Sequence, residues 1–189
     1  LDSEKAKEQI QALRPQPLYQ ALMIRGLEDS LDVLSYISRS QLIKFFDYDV
    51  WVYDHLSPAK AFRWLSMFKE LGREELAKRF RQLDEEYQLA LLGRYIALFD
   101  LEAYEDLPEA HQDRVSNLPC NELYYEITTE DPQIIEMIEE LIAANLQEDI
   151  QYTYSLLAHA AYMPPNEEEG KINQFRKARL EEDGFVTYE

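Results

Sequence analysis

The chain has 189 residues, of which 37 are Asp or Glu and 19 are Lys or Arg, so its formal net charge is −18 at pH 7. So acidic a surface argues against nucleic acid and anionic lipid as partners, because both carry negative charge themselves. Cys120 has no second cysteine to pair with, and no apolar run approaches the roughly 20 residues that span a bilayer. Composition therefore predicts a cytoplasmic protein that neither crosses a membrane nor binds nucleic acid.

The first part of the chain is predicted to be helical up to an aromatic and acidic loop. Helices are expected over residues 2–13, 18–24 and 27–37, and a fourth begins after Ser38, whose hydroxyl can cap it. The run FDYDVWVYDHLS then breaks the helical period. We interpret it as a loop or a single turn, with Trp51 beneath the neighbouring helices.

This loop has the composition of a cation site. Its carboxylates and imidazole could together hold a divalent metal ion. The residues concerned are Asp47, Asp49, Asp54 and His55. The spacing departs from a calcium-binding loop, because Trp51 and Val52 stand where a third ligand and a glycine are needed. The alternative is that the carboxylates cap neighbouring helices and that His55 is exposed.

Three consecutive helices joined by short turns are predicted in residues 57–99. The first is expected to end at Gly72, and the second carries Arg79 on its outward face. Asp84 can cap the third helix, whose apolar face is expected to continue to Leu98. We regard this stretch as the centre of the chain.

Two segments of the first half resemble each other. Residues 33–46 and 79–92 each contain a helix end, a small polar cap and a glutamine before the first core position. The two glutamines are Gln41 and Gln88. This arrangement indicates a helical-pair superhelix, although chance similarity between amphipathic helices would look the same.

A short strand pattern follows the central helices. Leu123, Tyr125 and Ile127 alternate with Tyr124 and Glu126, which is the pattern of a strand. Residues near Val115 are expected to pair with this strand. The fold class predicted is therefore mainly all-α, with at most a short β-hairpin near residues 114–128. We expect a single helical domain over residues 1–189, with a division into 1–99 and 100–189 as the alternative.

The final predicted helix follows Pro164 and Pro165 and contains two arginines one turn apart. Asn166 and Glu169 have the spacing of a capping box at its start. Arg176 and Arg179 could face inward and clamp carboxylates such as those of Asp100 or Glu102, which would make this helix a structural latch. Alternatively, its early glutamates and late arginines simply complement the helix dipole.

Tyrosine is abundant, with 13 residues in the chain. Tyrosine is favoured at protein interfaces because it offers a large contact area at low entropic cost. Tyr124 and Tyr125, in the predicted strand, are therefore candidates for a protein-binding surface. Ordinary packing at the rim of the core is the alternative.

Catalytic and cofactor motifs are missing from the sequence. Its five glycines are isolated and form no phosphate-binding loop, and its three histidines lie outside the spacing of a zinc-protease helix. Cys120 could lie near His111, but nothing in the sequence indicates a lowered thiol pKa. No cofactor is expected.

The most distinctive segment of the sequence is the C-terminal run NEEEGKINQFRKARLEEDGFVTYE, which contains Arg176, Arg179 and Gly184. Together with LYQALMIRGLEDSLDVLSYIS, DYDVWVYD and FRWLSMF, it resembles a bacterial family of unknown function, from about Leu18 onward. That resemblance implies no activity and no functional residues. More loosely, the helical-pair pattern looks like the regulatory N-terminal domain of magnesium transporters, which is a likeness of fold alone.

The function we predict is a non-enzymatic, helical interaction or regulatory module that binds a protein partner or a second copy of itself. The alternative is an enzyme or divalent-metal sensor that uses the loop of residues 47–55. Leu1 in place of a methionine, and an end just after a new helix-like start, indicate a piece of a longer protein.

Overall fold

The computed structural model describes residues 2–119 and 122–185. Twelve α-helices form in these residues: α1 (Asp2–Gln11), α2 (Pro15–Arg25), α3 (Leu31–Leu34), α4 (Arg39–Asp49), α5 (Pro58–Glu70), α6 (Arg73–Gln82), α7 (Glu85–Gly93), α8 (Leu101–Glu105), α9 (Glu109–Gln112), α10 (Pro132–Glu148), α11 (Ile150–Tyr162) and α12 (Pro165–Glu182). Two small antiparallel sheets accompany them. The mainly helical fold class is confirmed. None of the helices in this part of the chain is both long and apolar enough to cross a membrane.

Side chains next to the helices set several of their starts. Ser38 forms a full capping box with Gln41 at the start of α4, and Ser57 accepts a hydrogen bond from the Lys60 amide at the start of α5. Asp131 accepts from two early amides of α10. Gly72 separates α5 from α6 with a φ of 115°, a conformation that glycine adopts without strain.

The helices predicted in residues 57–99 lie at the centre of the fold. Helix α6 packs against α5 and α10, and α7 packs against α11 and α12. Aromatic rings fill the middle, where Phe45 stacks on Trp64 at 5.5 Å and Phe46 meets Tyr87 edge-on at 5.7 Å between centroids. Buried apolar residues from Leu18 to Ile172 join in one cluster, so both predicted halves contribute to the core.

A three-stranded sheet contains the predicted hairpin. Strands β4 (Val115–Asn117) and β5 (Leu123–Ile127) pair antiparallel, which confirms the hairpin. Strand β3 (Ile96–Asp100) pairs with the other edge of β5 and places Leu98 opposite Tyr125. The expectation that the third central helix continues to Leu98 was therefore wrong. The apolar run of residues 96–99 is too short for periodicity to separate helix from strand, and backbone pairing with β5 decides between them.

A two-stranded hairpin replaces the loop expected after α4. Strands β1 (Trp51–Val52) and β2 (His55–Leu56) are joined by the two residues Tyr53 and Asp54. Tyr53 has a φ of 56°, uncommon for a residue with a side chain, and is almost fully exposed at the tip. Trp51 is buried, as predicted.

The two similar segments agree in one structural detail. Gln41 and Gln88 are both buried, and each donates its side-chain amide to backbone carbonyls. They differ at the caps, because Asp84 makes no side-chain cap for α7 and pairs instead with arginines. The helical-pair repeat stays a prediction.

Candidate functional site

The terminal helix α12 crosses α4 and α7, and its contact with them is charged at the centre. Arg179 donates two hydrogen bonds to Asp47, from Nε to Oδ2 at 2.6 Å and from Nη2 to Oδ1 at 2.9 Å. Its third nitrogen donates to Asp84, which also pairs with Arg39. Asp47 is completely buried. One arginine of α12 therefore links the end of α4 to the start of α7.

A chain of buried polar contacts extends this pair. The Tyr87 hydroxyl donates to Asp47 Oδ1 at 3.1 Å, and Trp51 Nε1 donates to the Tyr87 hydroxyl at 2.9 Å. Arg176 donates from Nε to the Asp47 backbone carbonyl at 2.9 Å and lies over the Trp51 ring. Every polar atom of the Asp47 side chain is thus in contact with a donor, which makes the cluster a fixed element.

The ionised state of the Asp47 carboxylate depends on its pairing with Arg179. Burial lowers the pKa of Arg179, but the hydrogen bonds and negative charges of Asp47 and Asp84 outweigh burial and raise that pKa overall. Burial by itself raises the pKa of Asp47. Without Arg179, the buried carboxyl would favour its protonated form.

Two further pairs of polar contacts hold the ends of α12, one pair at each end. Near its C-terminus, Lys44 donates to Asp183 at 2.8 Å and Tyr48 donates to the same carboxylate at 2.9 Å. Near its N-terminus, the buried Glu169 accepts from the Leu56 amide at 3.0 Å and pairs with Arg94. Together with the Asp47 pair, they attach α12 by charge along its length.

The capping box expected at the start of α12 is absent. The helix begins at Pro165 with no side-chain cap, and Glu169 is turned towards the β1–β2 hairpin. The latch partners suggested from the sequence also differ from those observed. Arg179 pairs with Asp47 and Asp84, while Asp100 caps α8 through the Ala103 amide.

The four candidate metal ligands are engaged separately. Asp47 pairs with Arg179, and Asp49 accepts from Trp64 Nε1 at 2.8 Å. Asp54 lies at the hairpin turn near Lys177, and His55 Nδ1 lies 3.3 Å from Glu169. Among residues 2–119 and 122–185, no three His, Cys, Asp or Glu side chains are grouped in a way that could hold a metal ion.

The metal hypothesis stays a prediction, and these contacts weigh against it. We expect Mg²⁺, Mn²⁺, Ca²⁺ and Zn²⁺ to leave the Tm unchanged, because binding would have to break the Asp47–Arg179 pair. Thermal unfolding with each ion measures this. A rise in Tm that grows with ion concentration and that Asp54→Asn abolishes would support the metal site instead.

The other candidate residues lie elsewhere. Tyr124 is in the central strand β5 and stacks on Tyr104 of α8 with ring centroids 4.1 Å apart. Tyr125 is half-buried on the opposite side of the strand and packs against the core. His111 pairs with Glu126, and Cys120 lies outside the described residues.

Sequence reasoning missed four members of the cluster around α12. The sequence indicates Asp84 as a cap, and the spacing puts Tyr87 on the apolar face of the third central helix, so periodicity does not indicate the polar contacts of either residue. The sequence offers Glu169 as a member of a capping box, and no feature of it singles out Arg94. A buried pairing between residues this distant in sequence has no local signature.

The family of the chain can be identified. Residues 1–189 match a family described as "Family of unknown function (DUF6178)". The chain belongs to DUF6178. No curated protein and no solved structure matches the chain. Because DUF6178 carries no assigned activity, function has to be argued from the contacts and surfaces of this DUF6178 chain.

Tyrosines beside α12 and α4 predict a loss of stability at alkaline pH. Burial, reinforced by Asp49, raises the pKa of Tyr19 from 10.0 to about 12. Burial and the neighbouring Asp183 also raise the pKa of Tyr48. A raised pKa in the folded state stabilises the fold below the unfolded value. We therefore expect the free energy of unfolding to fall as pH rises from 10 to about 12.

Tyrosinate absorbance, followed in the folded protein and in denaturant, measures this effect. Tyr19→Phe and Tyr48→Phe should each remove one late-titrating group from the folded protein. A folded protein in which Tyr19 titrates as it does in denaturant would contradict the prediction.

Proposed function

We propose that this chain is a non-catalytic interaction module that binds a basic protein partner through an acidic layer formed by α8 and α9. The observation that carries the proposal is a set of exposed carboxylates in residues 100–113: Asp100, Glu102, Glu105, Asp106, Glu109 and Asp113. Among the described residues, no Lys, Arg or His forms an ion pair with any of them. An exposed apolar side chain, Leu101, lies among them.

The acidic layer is held on the outer face of the three-stranded sheet. Tyr104 of α8 stacks on Tyr124, and His111 of α9 lies 2.7 Å from Glu126 of β5. Gln112 joins the two helices by donating to the carbonyls of Tyr104 and Leu107. The carboxylates are therefore displayed on a positioned backbone, which reduces the entropy that a partner would have to remove.

The charge pattern suits association more than catalysis. A surface that exposes many negative charges attracts a basic partner at long range and raises its association rate. Salt screens this attraction. By contrast, the buried carboxylate of Asp47 is paired with Arg179 and accepts from Tyr87. The single cysteine fits a reducing compartment, so the cytoplasm is the location that we propose.

Capture from a lysate with charge-matched variants tests the proposal. One variant carries Glu102→Gln, Glu105→Gln, Asp106→Asn and Glu109→Gln. The control neutralises four exposed glutamates elsewhere: Glu8, Glu70, Glu74 and Glu148. The wild type and the control should recover the same basic protein at low salt, while the acidic-layer variant should not.

Salt dependence supplies the second measurement. Recovery by the wild type should fall at high ionic strength. Absence of a partner, recovery that ignores salt, or recovery by the acidic-layer variant would each contradict the proposal. Light scattering over the same salt range separates this binding from association with a second copy, which the sequence left open.

A further inference from the structure

A cavity of about 290 Å³ lies between α2, the end of α4 and the C-terminal half of α12. Its walls are largely aromatic and apolar, with Tyr19, Tyr48, Leu180 and Phe185. This volume is close to the lower end of the roughly 300–1,000 Å³ range of small-molecule sites. A ligand there would have to be small.

Two charged residues line the cavity: Asp47 is hydrogen-bonded to its counter-ion, whereas the charges of Asp47 and Asp54 act on Arg176 only from a distance. Both Asp47 carboxylate oxygens accept from Arg179, and one also accepts from Tyr87. Arg176 has no carboxylate in ion-pair contact among the described residues. Its Nε donates to a backbone carbonyl, and its Nη1 lies 3.5 Å from the Asn173 amide oxygen.

The surroundings of Arg176 favour an anion there. The guanidinium is half-buried over the Trp51 ring, 5.1 Å from its centroid. Burial lowers the pKa of Arg176, because removing the charge from water is costly. A bound anion would offset that cost by hydrogen bonds to the terminal nitrogens.

We infer that this cavity binds a small monocarboxylate that carries an aromatic or branched apolar group. The carboxylate would contact Arg176, and the apolar group would pack among Tyr48, Leu180 and Phe185. A dianion such as phosphate fits less well, because the walls are apolar and carboxylates of Asp47 and Asp183 lie close by. The exposed amides of Gln16 and Gln20 stand at the rim.

Binding would stabilise the docked position of α12. Arg176 and Leu180 belong to that helix, whereas Tyr19 and Tyr48 belong to α2 and α4, so a ligand contacts both sides of the junction. A ligand that binds only the folded state raises the Tm, and the rise grows with the ratio of free ligand concentration to Kd. The cavity shares no residue with α8 or α9, so this inference and the proposed partner site can fail independently.

Calorimetry and thermal unfolding with 3-phenylpropionate and 4-methylpentanoate test the inference. The neutral 3-phenylpropionamide and inorganic phosphate are the comparison ligands. We expect saturable binding of the two carboxylates, with a rise in Tm, and at least about tenfold weaker binding of the amide and phosphate.

Variants assign the binding to the cavity. Arg176→Gln should weaken carboxylate binding at least about tenfold, while Lys177→Gln, on the same helix but outside the cavity, should leave it unchanged. Phe185→Ala should weaken binding of 3-phenylpropionate and serves if Arg176→Gln fails to fold. No saturable binding, equal binding of acid and amide, tight binding of phosphate, or full binding by Arg176→Gln would overturn the inference.

Discussion

Arg179→Met is expected to lower the free energy of unfolding by about 3 kcal/mol, because it leaves a buried carboxylate without its cation. Asp47 is completely buried and takes two hydrogen bonds from Arg179. Urea unfolding followed by circular dichroism measures the change. Lys177→Met is the matched control: its exposed pair with Asp54 should contribute less than about 1 kcal/mol.

The pH dependence of this variant gives a second test. Because burial raises the pKa of Asp47, its unpaired carboxyl should bind a proton more readily in the folded state than in the unfolded state. A raised folded-state pKa stabilises at low pH and loses that contribution as pH rises. The free energy of unfolding of Arg179→Met should therefore approach that of Lys177→Met as pH falls towards 3.8, the ordinary pKa of Asp.

Removing both charges should restore part of the lost stability. The double variant Asp47→Asn, Arg179→Met replaces the buried anion by a neutral group and should be more stable than Arg179→Met alone. Limited proteolysis distinguishes local release of α12 from global unfolding. A deficit in Arg179→Met no larger than that of Lys177→Met would show that this pair does not hold α12 in place.

Arg79→Met should be at least as damaging, with an expected loss of about 3 kcal/mol or more. Arg79 lies on α6, and its side chain is only 2% exposed. It donates to the backbone carbonyls of Ile37 at 2.7 Å and Ser35 at 3.0 Å, and to the Glu75 carboxylate at 2.5 Å. The Ser35 and Ile37 carbonyls lie just after the end of α3, outside its helical turns, so their hydrogen-bond donor has to come from another part of the fold.

Neighbouring substitutions separate the roles of Arg79. Lys78→Met removes a half-exposed partner of the same Glu75 and should change stability by less than about 1 kcal/mol. Arg79→Lys should restore only part of the loss, because an ammonium cannot reproduce the several directed bonds of a guanidinium. Equal unfolding midpoints for Arg79→Met and Lys78→Met would contradict the assigned role.

Arg79 also shows where sequence reasoning met its limit. It was placed on the outward face of its helix, beside Lys78 and Arg81. The structure turns it inward, because the end of α3 presents unpaired carbonyls and the Phe68 ring lies beneath the guanidinium. The periodicity of one helix cannot indicate which hydrogen-bond acceptors of a distant segment will lie next to its side chains.

The candidate site was predicted in parts and for different reasons. Arg176 and Arg179 were singled out as clamps, and Asp47 as a metal ligand, yet the structure pairs Arg179 with Asp47 across 132 positions. Trp51 was expected beneath the helices and is buried there. Asp84 and Tyr87 complete the cluster through side-chain contacts that no local pattern indicates.

The sequence by itself determined the helical class, most helix boundaries and the β4–β5 hairpin. These features depend on caps, glycines and apolar spacing within a few residues. Such short-range preferences can be recognised directly in the sequence. Tertiary structure alone decided that residues 96–100 form a strand, that Arg79 is buried and that Asp47 and Asp84 are the partners of Arg179. Each of these outcomes depends on a partner distant in sequence, because a buried hydrogen bond or ion pair requires both groups to be brought together by the fold.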